Sequence, residues 1–357
     1  MFDMVPAIKI GRFSISADQD PFVIAELSGN HNHELGRALE LVKAAAEAGA
    51  HALKLQTYTA DTMTIDVRDG QFLISDPTSP WYGETLYRLY QKAHTPWEWH
   101  KPIFDLAAEL GMVAFSSPFD RTAVDYLEAL DAPAYKIASF ELTDHQLVAY
   151  VAKTGKPIIM STGMASIVEI SESVAVARAN GCRDLVLLKC TSSYPSTAEN
   201  ANLATIPVLR QTFDCQVGLS DHSLGLAVPA AAVALGATVI EKHLTLRRAD
   251  GGVDSAFSLE PVEFADMVRT TREARLAIGQ PTFGASTSEV TSKSHRRSLY
   301  IVKDIKAGEI VTEEHVRSIR PGGGLPIKFL KTILGMEARR DAARGEPLSW
   351  NLFRSNA

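Results

Sequence analysis

Apolar residues in this chain come in short unbroken runs rather than in strict alternation. The first, F-V-I-A-E after Pro21, spans residues 22–26 and has the pattern of a strand covered on both faces. A polar S-G-N-H-N-H follows, then a helical pattern in which Leu35, Leu39, Val42 and Ala46 share one face and Gly49 ends the run. The next apolar run, A-L-K-L-Q, begins within a few residues. The unit then recurs. M-V-A-F-S-S (112–117), A-Y-K-I-A-S (134–139), P-I-I-M-S-T (157–162), D-L-V-L-L-K-C-T (184–191), C-Q-V-G-L-S (215–220) and T-V-I-E-K-H (238–243) each follow a helical stretch. About eight strands alternating with helices over about 260 residues match the number and length of a (β/α)8 TIM barrel. A doubly wound open α/β sheet is the structural alternative, and it gives no reason for eight.

The flanks behave differently. I-K-I-G-R-F-S-I, ahead of the first repeat, alternates as a short hairpin does. The longest interruption, 57–95, is rich in Tyr, Asp, Thr and Trp, and a long loop at the catalytic face covers a substrate. The barrel with its hairpin is expected over 1–280. The polar run that begins Q-P-T-F-G-A-S and continues to 293 reads as a linker or extended arm, with the linker proper at 281–293. Residues 294–357 read as a small β-clip: S-L-Y-I-V-K-D-I, a helix start at Thr312 with Glu313 and Glu314, a P-G-G-G-L-P loop, and a short helix ending at Gly335. The similar turns K-A-G-E-I-V-T and A-R-G-E-P-L-S suggest a pseudo-repeat. At about 60 residues such a domain is barely large enough to stand alone, so it is expected to dock on something.

Composition narrows the function. A chain of 357 residues exceeds the size at which single cores stop growing, which favours a large domain plus a small one. Its 46% hydrophobic and 22% charged residues are those of a soluble globular protein. A net charge of −6 with no basic run argues against nucleic acid as a partner. The N-terminus lacks the pattern of a signal peptide, and no apolar stretch approaches the roughly 18 residues of a membrane span. Cys182, Cys190 and Cys215 are odd in number and lack paired metal spacing, so they read as small core residues in a reducing compartment. The expected location is the cytoplasm, with no membrane partner.

The chemistry lies at the strand ends. In order they carry Glu26; Lys54 with Gln56; Ser116 with Ser117; Lys136 with Ser139 and Glu141; Ser161 with Thr162; Lys189 with Thr191 and Ser192; Ser220 with Asp221 and His222; and Glu241 with Lys242 and His243. Polar residues are costly inside buried strands unless paired, so such a set at one rim marks a site. Lys54 and Lys136 with several serine hydroxyls suit a small, highly charged anion such as phosphate or carboxylate. His222 and His243, with Glu26 available, suit an open site for a borderline divalent metal, although either histidine alone would read as a core or rim residue. Lys189 or Lys54 as a Schiff-base lysine of an aldolase remains open. Trp97 and Trp99 in W-E-W-H read as helix packing, Asp120 as a helix cap, and Gly322 to Gly324 as a flexible loop rather than an anion cradle.

The strings I-A-E-L-S-G-N-H-N, L-K-L-Q-T-Y, F-S-S-P-F-D, Y-K-I-A-S-F-E, P-I-I-M-S-T-G-M, K-C-T-S-S-Y-P, G-L-S-D-H-S-L-G and I-E-K-H-L-T resemble the sialic acid synthase family in order and spacing. The linker and tail resemble that family's C-terminal antifreeze-like (SAF) domain. The resemblance implies a transferase that condenses phosphoenolpyruvate with an open-chain acetamido sugar, uses Mn2+, Mg2+ or Co2+, and releases phosphate. Carried over residue by residue, it implies that His222 and His243 hold the metal. Lys54, Ser117, Lys136, Ser139, Ser161 and Ser220 would hold the carboxylate and phosphate of phosphoenolpyruvate. Glu26 would stand beside the metal and the aldehyde as the acid/base residue, with Asp254 the other catalytic position. Gln56, Glu141, Ser192, Tyr194 and Glu241 would contact substrate or metal-bound water. Arg320, in R-S-I-R-P-G-G-G, matches an arginine that reaches an N-acetyl group from the partner protomer, which implies a domain-swapped homodimer.

Ser192 stands where Asn is frequent in the family. L-Q-T-Y-T-A-D-T-M-T-I and the run from Asp254 to Pro261 resemble the pseudaminic acid branch, whose sugar is 2,4-diacetamido-2,4,6-trideoxy-L-altrose. The N-acetylneuraminate and legionaminate branches are the near alternatives. A glycan-binding protein on an inactive barrel is the distant one.

Overall fold

The computed structural model of this chain describes residues 5–353. The first four residues, on which the signal-peptide reading bears, and the last four of the expected small domain lie outside them. The chain divides into two compact units, Met1–Gly279 and Gln280–Ala357.

In the first unit, β1 (Ile8–Ile10) and β2 (Phe13–Ile15) form an antiparallel hairpin. Eight parallel strands follow and close a barrel: β3 (Phe22–Glu26), β4 (Ala52–Thr57), β5 (Val113–Pro118), β6 (Tyr135–Ile137), β7 (Ile158–Ser161), β8 (Leu185–Cys190), β9 (Gln216–Asp221) and β10 (Val239–His243). They are neighbours in chain order, and β10 pairs back onto β3, so the sheet has no edge. An open doubly wound sheet is thereby ruled out.

The unbroken apolar runs have a simple cause: each strand is buried on both faces. Ile24, Phe115, Ile159, Val186, Leu188 and Val239 point into the barrel, where Ile8, Ile10 and Ile15 of the hairpin join them. Their strand neighbours, such as Val23, Leu53, Leu55, Met160, Leu187 and Val217, pack outward against the helices. Because the hairpin meets Phe22, Ala52 and Val239 at strand starts, it plugs the amino-terminal end of the barrel. The carboxyl ends of the strands are left as the mouth. Gly218 shows how tightly β9 and β10 approach, since a Cβ there would lie 2.3 Å from the Val239 carbonyl oxygen.

The helices follow their sequence signals, with two adjustments. Asp120 caps the helix Arg121–Ala129 by accepting from the amides of Thr122 and Ala123. In the helix Leu35–Glu47 the fully buried stripe is Ala38, Leu41, Val42 and Ala45, while Leu35, Leu39 and Ala46 flank it. The small alanines let this helix lie close to the sheet, and counting only large residues shifted the expected face. The expected strand over 134–139 stops at Ile137, and Ser139–Glu141 form a 3-10 turn.

The 57–95 insertion folds into the short helices Ala60–Met63 and Leu86–Ala93 with a 3-10 turn between them. Trp81 fastens it to the loop after β10 by donating its indole N–H to the Val253 carbonyl (2.8 Å). Trp97 packs on Tyr126 with ring centroids 4.8 Å apart, and Trp99 packs against the core. All three cysteines are buried and free. Among the described residues no helix is long and apolar enough to cross a membrane.

The second unit holds the antiparallel pair β11 (Ser298–Ile301) and β12 (Val316–Ile319) over a core that includes Leu299, Ile301, Ile305, Val316, Ile333 and Leu352. Both copies of the pseudo-repeat make the same two-residue turn, with Gly308 and Gly345 at φ of 86° and 95°. The stretch 281–293 is largely exposed and contains the 3-10 turn Thr287–Glu289. No helix starts at Thr312. Its amide and hydroxyl engage His315 Nδ1 (3.2 and 3.0 Å), and after that single turn the chain enters β12. A one-turn helix cannot repay its nucleation cost when Val316 is already committed to a strand. The Pro-Gly-Gly-Gly loop is tied down rather than loose. Gly322 N–H donates to the Ser294 carbonyl and Gly324 N–H to Ser298 Oγ (both 2.8 Å).

Ile10 is 0% exposed at the centre of the plug. Ile10→Ala is expected to lower the barrel's unfolding free energy by about 2–5 kcal/mol, read from the urea midpoint of the folded variant. An unchanged midpoint would remove the plug from the barrel's stability.

Candidate active site

Alternation along each strand sorts the polar strand ends into two sets. Residues in phase with the interior core point into the mouth: Glu26, Lys54, Ser117, Lys136, Ser161, Cys190, Ser220, His222, Glu241 and His243. Those one position out of phase point toward the helices. Ser116 bonds Thr57 Oγ1 (2.6 Å), which bonds His100 Nε2 (2.8 Å). Lys189 donates to the Cys190 carbonyl (2.7 Å) and to Thr191 Oγ1 (3.1 Å). Lys242 pairs with Asp221. Ser116, Lys189, Asp221 and Lys242 therefore leave the set of residues that face the mouth.

The inward set lines a cavity of about 540 Å³. Its walls include Lys54, Lys136, Ser161, Ser220, Glu241, His222 and His243, together with Gln56, Ser139, Glu141, Tyr194 and Asp254. Glu26 and Ser117 lie just behind, each touched by the Lys54 ammonium. Ser192 flanks the cavity beside Gly163. Arg320 belongs to the second unit.

Four buried charges form the floor. Lys54 is ion-paired with Glu26 and lies 3.7 Å from Glu241, and Lys136 lies 3.6 Å from Glu241. Gln56 Nε2 donates to Glu26 (3.1 Å), Ser220 Oγ to Glu241 (2.8 Å), and Lys136 Nζ to Ser161 Oγ (2.7 Å). Burial pushes the Glu26 carboxyl up to about 7 despite Lys54 beside it. Burial would also raise Glu241, but Lys136 and Lys54 hold it below the ordinary carboxylate value. Burial would lower Lys54, yet Glu241 and Glu26 keep it above its ordinary value, whereas Lys136 is lowered by burial. The floor thus sets one firm carboxylate and one carboxyl readily protonated near neutral pH beside two lysines. Lys54 is held charged, and Lys136 is drawn toward its neutral form by burial, a pull that an anion beside it would oppose. That balance favours an incoming anion.

A second anion feature was not legible in advance. Gly163, just past β7, donates its amide to Ser139 Oγ (3.1 Å). A Cβ at Gly163 would lie 2.3 Å from Ser192 Oγ and 2.7 Å from Ser139 Oγ. Only glycine lets the two hydroxyls converge there, and together they form a cradle suited to phosphate oxygens. The available signal was the glycine directly after the S-T strand end.

The two histidines meet as expected from their adjacent strands, with ring centroids 5.3 Å apart. His222 Nδ1 lies 3.0 Å from the Thr191 carbonyl, which can only accept, so the neutral ring carries its proton there and Nε2 is bare. His243 Nδ1 lies 3.3 Å from Ser28 Oγ and 4.0 Å from Asp254 Oδ2. Burial, reinforced by His222, holds His243 well below its ordinary pKa and therefore neutral. Among the described residues no group of three or more His, Cys, Asp or Glu side chains could hold a metal ion. The donor set is two imidazoles with their Nδ1 atoms engaged. Burial keeps His243 neutral, whereas burial on His222 is outweighed by Cys190, the Thr191 carbonyl and Glu241, which raise its pKa, so a bound cation there would compete with a proton. The set fits an open divalent site whose other positions are taken by water or substrate oxygens.

Sequence reasoning placed Cys190 in the core, whereas its Sγ lines the cavity 4.0 Å from His222 Nδ1. Burial would raise this thiol, but His222 draws it down to about 7. It also missed the apolar outer wall, built by Met63, Ile74, Leu86 and Leu89 of the insertion with Val253 and Phe257.

The model of the NeuB family matches residues 41–282, and that of the SAF domain matches residues 296–354. The chain is 44% identical over 347 residues to a pseudaminic acid synthase of Campylobacter jejuni, covering 97% of this chain and 100% of that one. It is 43% identical to a pseudaminic acid synthase of Helicobacter pylori, covering 93% and 97%. Among solved structures it resembles an N-acetylneuraminic acid synthetase from Leptospira borgpetersenii in complex with citrate. That match has a TM-score of 0.73 and 29% identity, and covers 82% of this chain and 96% of that one.

Glu141 lines the cavity with Oε2 unpartnered, and burial pushes its carboxyl up to about 7 from 4.5. An acid whose folded pKa is raised contributes stability below the unfolded pKa and loses it as pH rises through the folded one. Glu141→Gln should therefore gain stability relative to the parent chain between pH 4.5 and about 7, by at most about 3 kcal/mol, with no further change above that range. Parallel pH–stability curves for the two proteins would exclude the raised carboxyl.

Proposed function

The chain belongs to the NeuB family, and from that premise we propose that it condenses phosphoenolpyruvate with 2,4-diacetamido-2,4,6-trideoxy-L-altrose to give pseudaminic acid and phosphate. The coarser reading, a phosphoenolpyruvate-dependent nonulosonic acid synthase, rests on near full-length similarity to synthases of that kind. One observation favours the particular sugar. The cavity joins a charged floor at the strand ends to an apolar outer wall of Met63, Ile74, Leu86 and Leu89. Such a wall suits a 6-deoxy sugar better than one with a hydroxyl at that position.

In this reading Lys54 and Lys136, with Ser161, Ser220 and the Ser139–Gly163–Ser192 cradle, hold the carboxylate and phosphate of phosphoenolpyruvate. Gln56, Glu141 and Tyr194 orient the open-chain sugar above it. C3 of phosphoenolpyruvate forms a bond to the aldehyde carbon, and Glu26, whose carboxyl is raised to about 7 and so takes up and releases a proton near neutral pH, gives its proton to the new alkoxide. Water adds at C2 as Asp254 takes one of its protons, and the C2–O bond to phosphate then breaks as the new hydroxyl passes its proton to the departing phosphate and becomes the keto group. The lysines offset the charge on the departing group. His222 and His243 would hold a divalent ion such as Mn2+, Mg2+ or Co2+, which when bound supplies Lewis-acid polarisation of the aldehyde oxygen. Arg320 enters as a contact to an acetamido group within a homodimer that exchanges its C-terminal domains.

A Schiff-base mechanism finds little support here. Lys189 faces away from the cavity, and Lys54 is paired with Glu26 and held in its charged form.

Turnover with phosphoenolpyruvate and a panel of acetamido sugars, with product masses recorded, tests the substrate. The trideoxy sugar should exceed N-acetylmannosamine by roughly 10- to 100-fold in kcat/KM. Preference for N-acetylmannosamine or the legionaminic acid precursor would move the chain to another branch of the family. Chelation should abolish turnover and Mn2+ restore it, and a His222→Ala, His243→Ala double variant of undiminished activity would end the metal assignment.

A further inference from the structure

One buried ion pair plays no part in the chemistry above. Asp221 and Lys242 are register partners on adjacent strands β9 and β10, immediately before His222 and His243. Both face the helices, and their side chains are 2% and 0% exposed. Lys242 Nζ donates to Asp221 Oδ2 (2.6 Å) and also to the Ser223 carbonyl. Asp221 Oδ1 in turn accepts the Ser223 amide (2.9 Å). The residues on both sides of His222 are thus fastened to one ammonium group, carried by the residue next to His243.

That position ordinarily takes an apolar side chain, as Ile240 does two residues earlier on the same face. A buried ion pair seldom stabilises a fold more than well-packed apolar residues of similar size, because both charges must be stripped of water. What it adds is direction. An apolar pair can fill the volume but cannot bind the Ser223 carbonyl, and the turn carrying His222 would then be held mainly from the β8 side. There the Ser196 amide donates to the His222 carbonyl (3.1 Å), and the Thr191 carbonyl accepts from the ring.

We propose that Asp221 and Lys242 are positioning residues: a clip across β9 and β10 that sets the separation and aim of the His222 and His243 imidazoles for a divalent cation. The proposal rests on the two-histidine metal reading. It assigns the clip to cation affinity rather than to folding. Groups that hydrogen-bond a metal-binding imidazole directly change affinity by about 10- to 100-fold when removed, and the clip, which acts one step further back through the backbone around His222, is expected at the low end of that range.

The test replaces both members at once. Asp221→Leu with Lys242→Met leaves no orphaned charge, so the barrel is expected to keep or raise its melting temperature. Mn2+ binding to the metal-free full chain is then followed by electron paramagnetic resonance of free Mn2+, without substrate or turnover. The expected result is a Kd for Mn2+ raised at least tenfold at an undiminished melting temperature. Asp221→Asn, which keeps the shape and the Ser223 contact, should give a smaller rise and serves if the double variant fails to fold. A Kd within about twofold of the parent chain in the folded variants overturns the clip and leaves the metal reading standing. A parent chain that binds no Mn2+, or binds it equally well as the His222→Ala, His243→Ala variant, overturns the metal reading and the clip with it.

Discussion

Four charged side chains sealed inside a barrel set the terms for this molecule. Lys54, Lys136, Glu26 and Glu241 are each at most 4% exposed, where any one of them alone would be prohibitively costly. They persist because each strand supplies a partner from across or beside the ring: Glu26 from β3, Lys54 from β4, Lys136 from β6 and Glu241 from β10. The closed sheet is what brings these four strands to one floor. Removing any member would strand an opposite charge in a dry place. The fold and the site are therefore not separable layers. The same closure that removes sheet edges makes the network electrically tolerable, and the network prepares a place for a highly charged anion.

Much of this was readable from residue patterns, because unbroken apolar runs at regular spacing have few structural solutions in a chain of this length. The barrel and the meeting of His222 and His243 at one strand edge follow from that, whereas the hairpin is legible from its alternation and its role as a plug only from the packing of Ile8, Ile10 and Ile15. The strand-end residues that face the wrong way share one cause. Grouping neighbouring polar residues at a strand end ignores that successive side chains face opposite sides. Ser116, Lys189 and Lys242 turn away from the residues beside them in such a group, and Cys190, which shares the phase of Leu188, turns into the cavity rather than the core. Gly163 escaped for another reason: its importance lies in an absent side chain, and only distances to Ser139 and Ser192 show what would collide there. Thr312 had the local signature of a helix start, which the pairing of β12 with β11 overrode.

The outward-facing polar residues explain how the mouth keeps its shape. The Ser116–Thr57–His100 chain fastens the start of the insertion to the helix His100–Glu109, and Trp81 ties its far side to Val253. A segment of almost forty residues is held at both margins of the opening, and its apolar side chains are thereby presented inward. Rigid strands position the charged groups, while the insertion, with less regular structure, supplies the surface on which a substrate's apolar parts would rest.

The hairpin under the barrel has a consequence of its own. With Ile8, Ile10 and Ile15 filling the amino-terminal end, traffic to the charged floor must pass the insertion. The charged floor is the deeper part of that cavity and the apolar outer half the shallower one. The architecture is a blind alley with two parking places, and on the proposed chemistry phosphoenolpyruvate takes the one at the closed end and the sugar the one nearer the street.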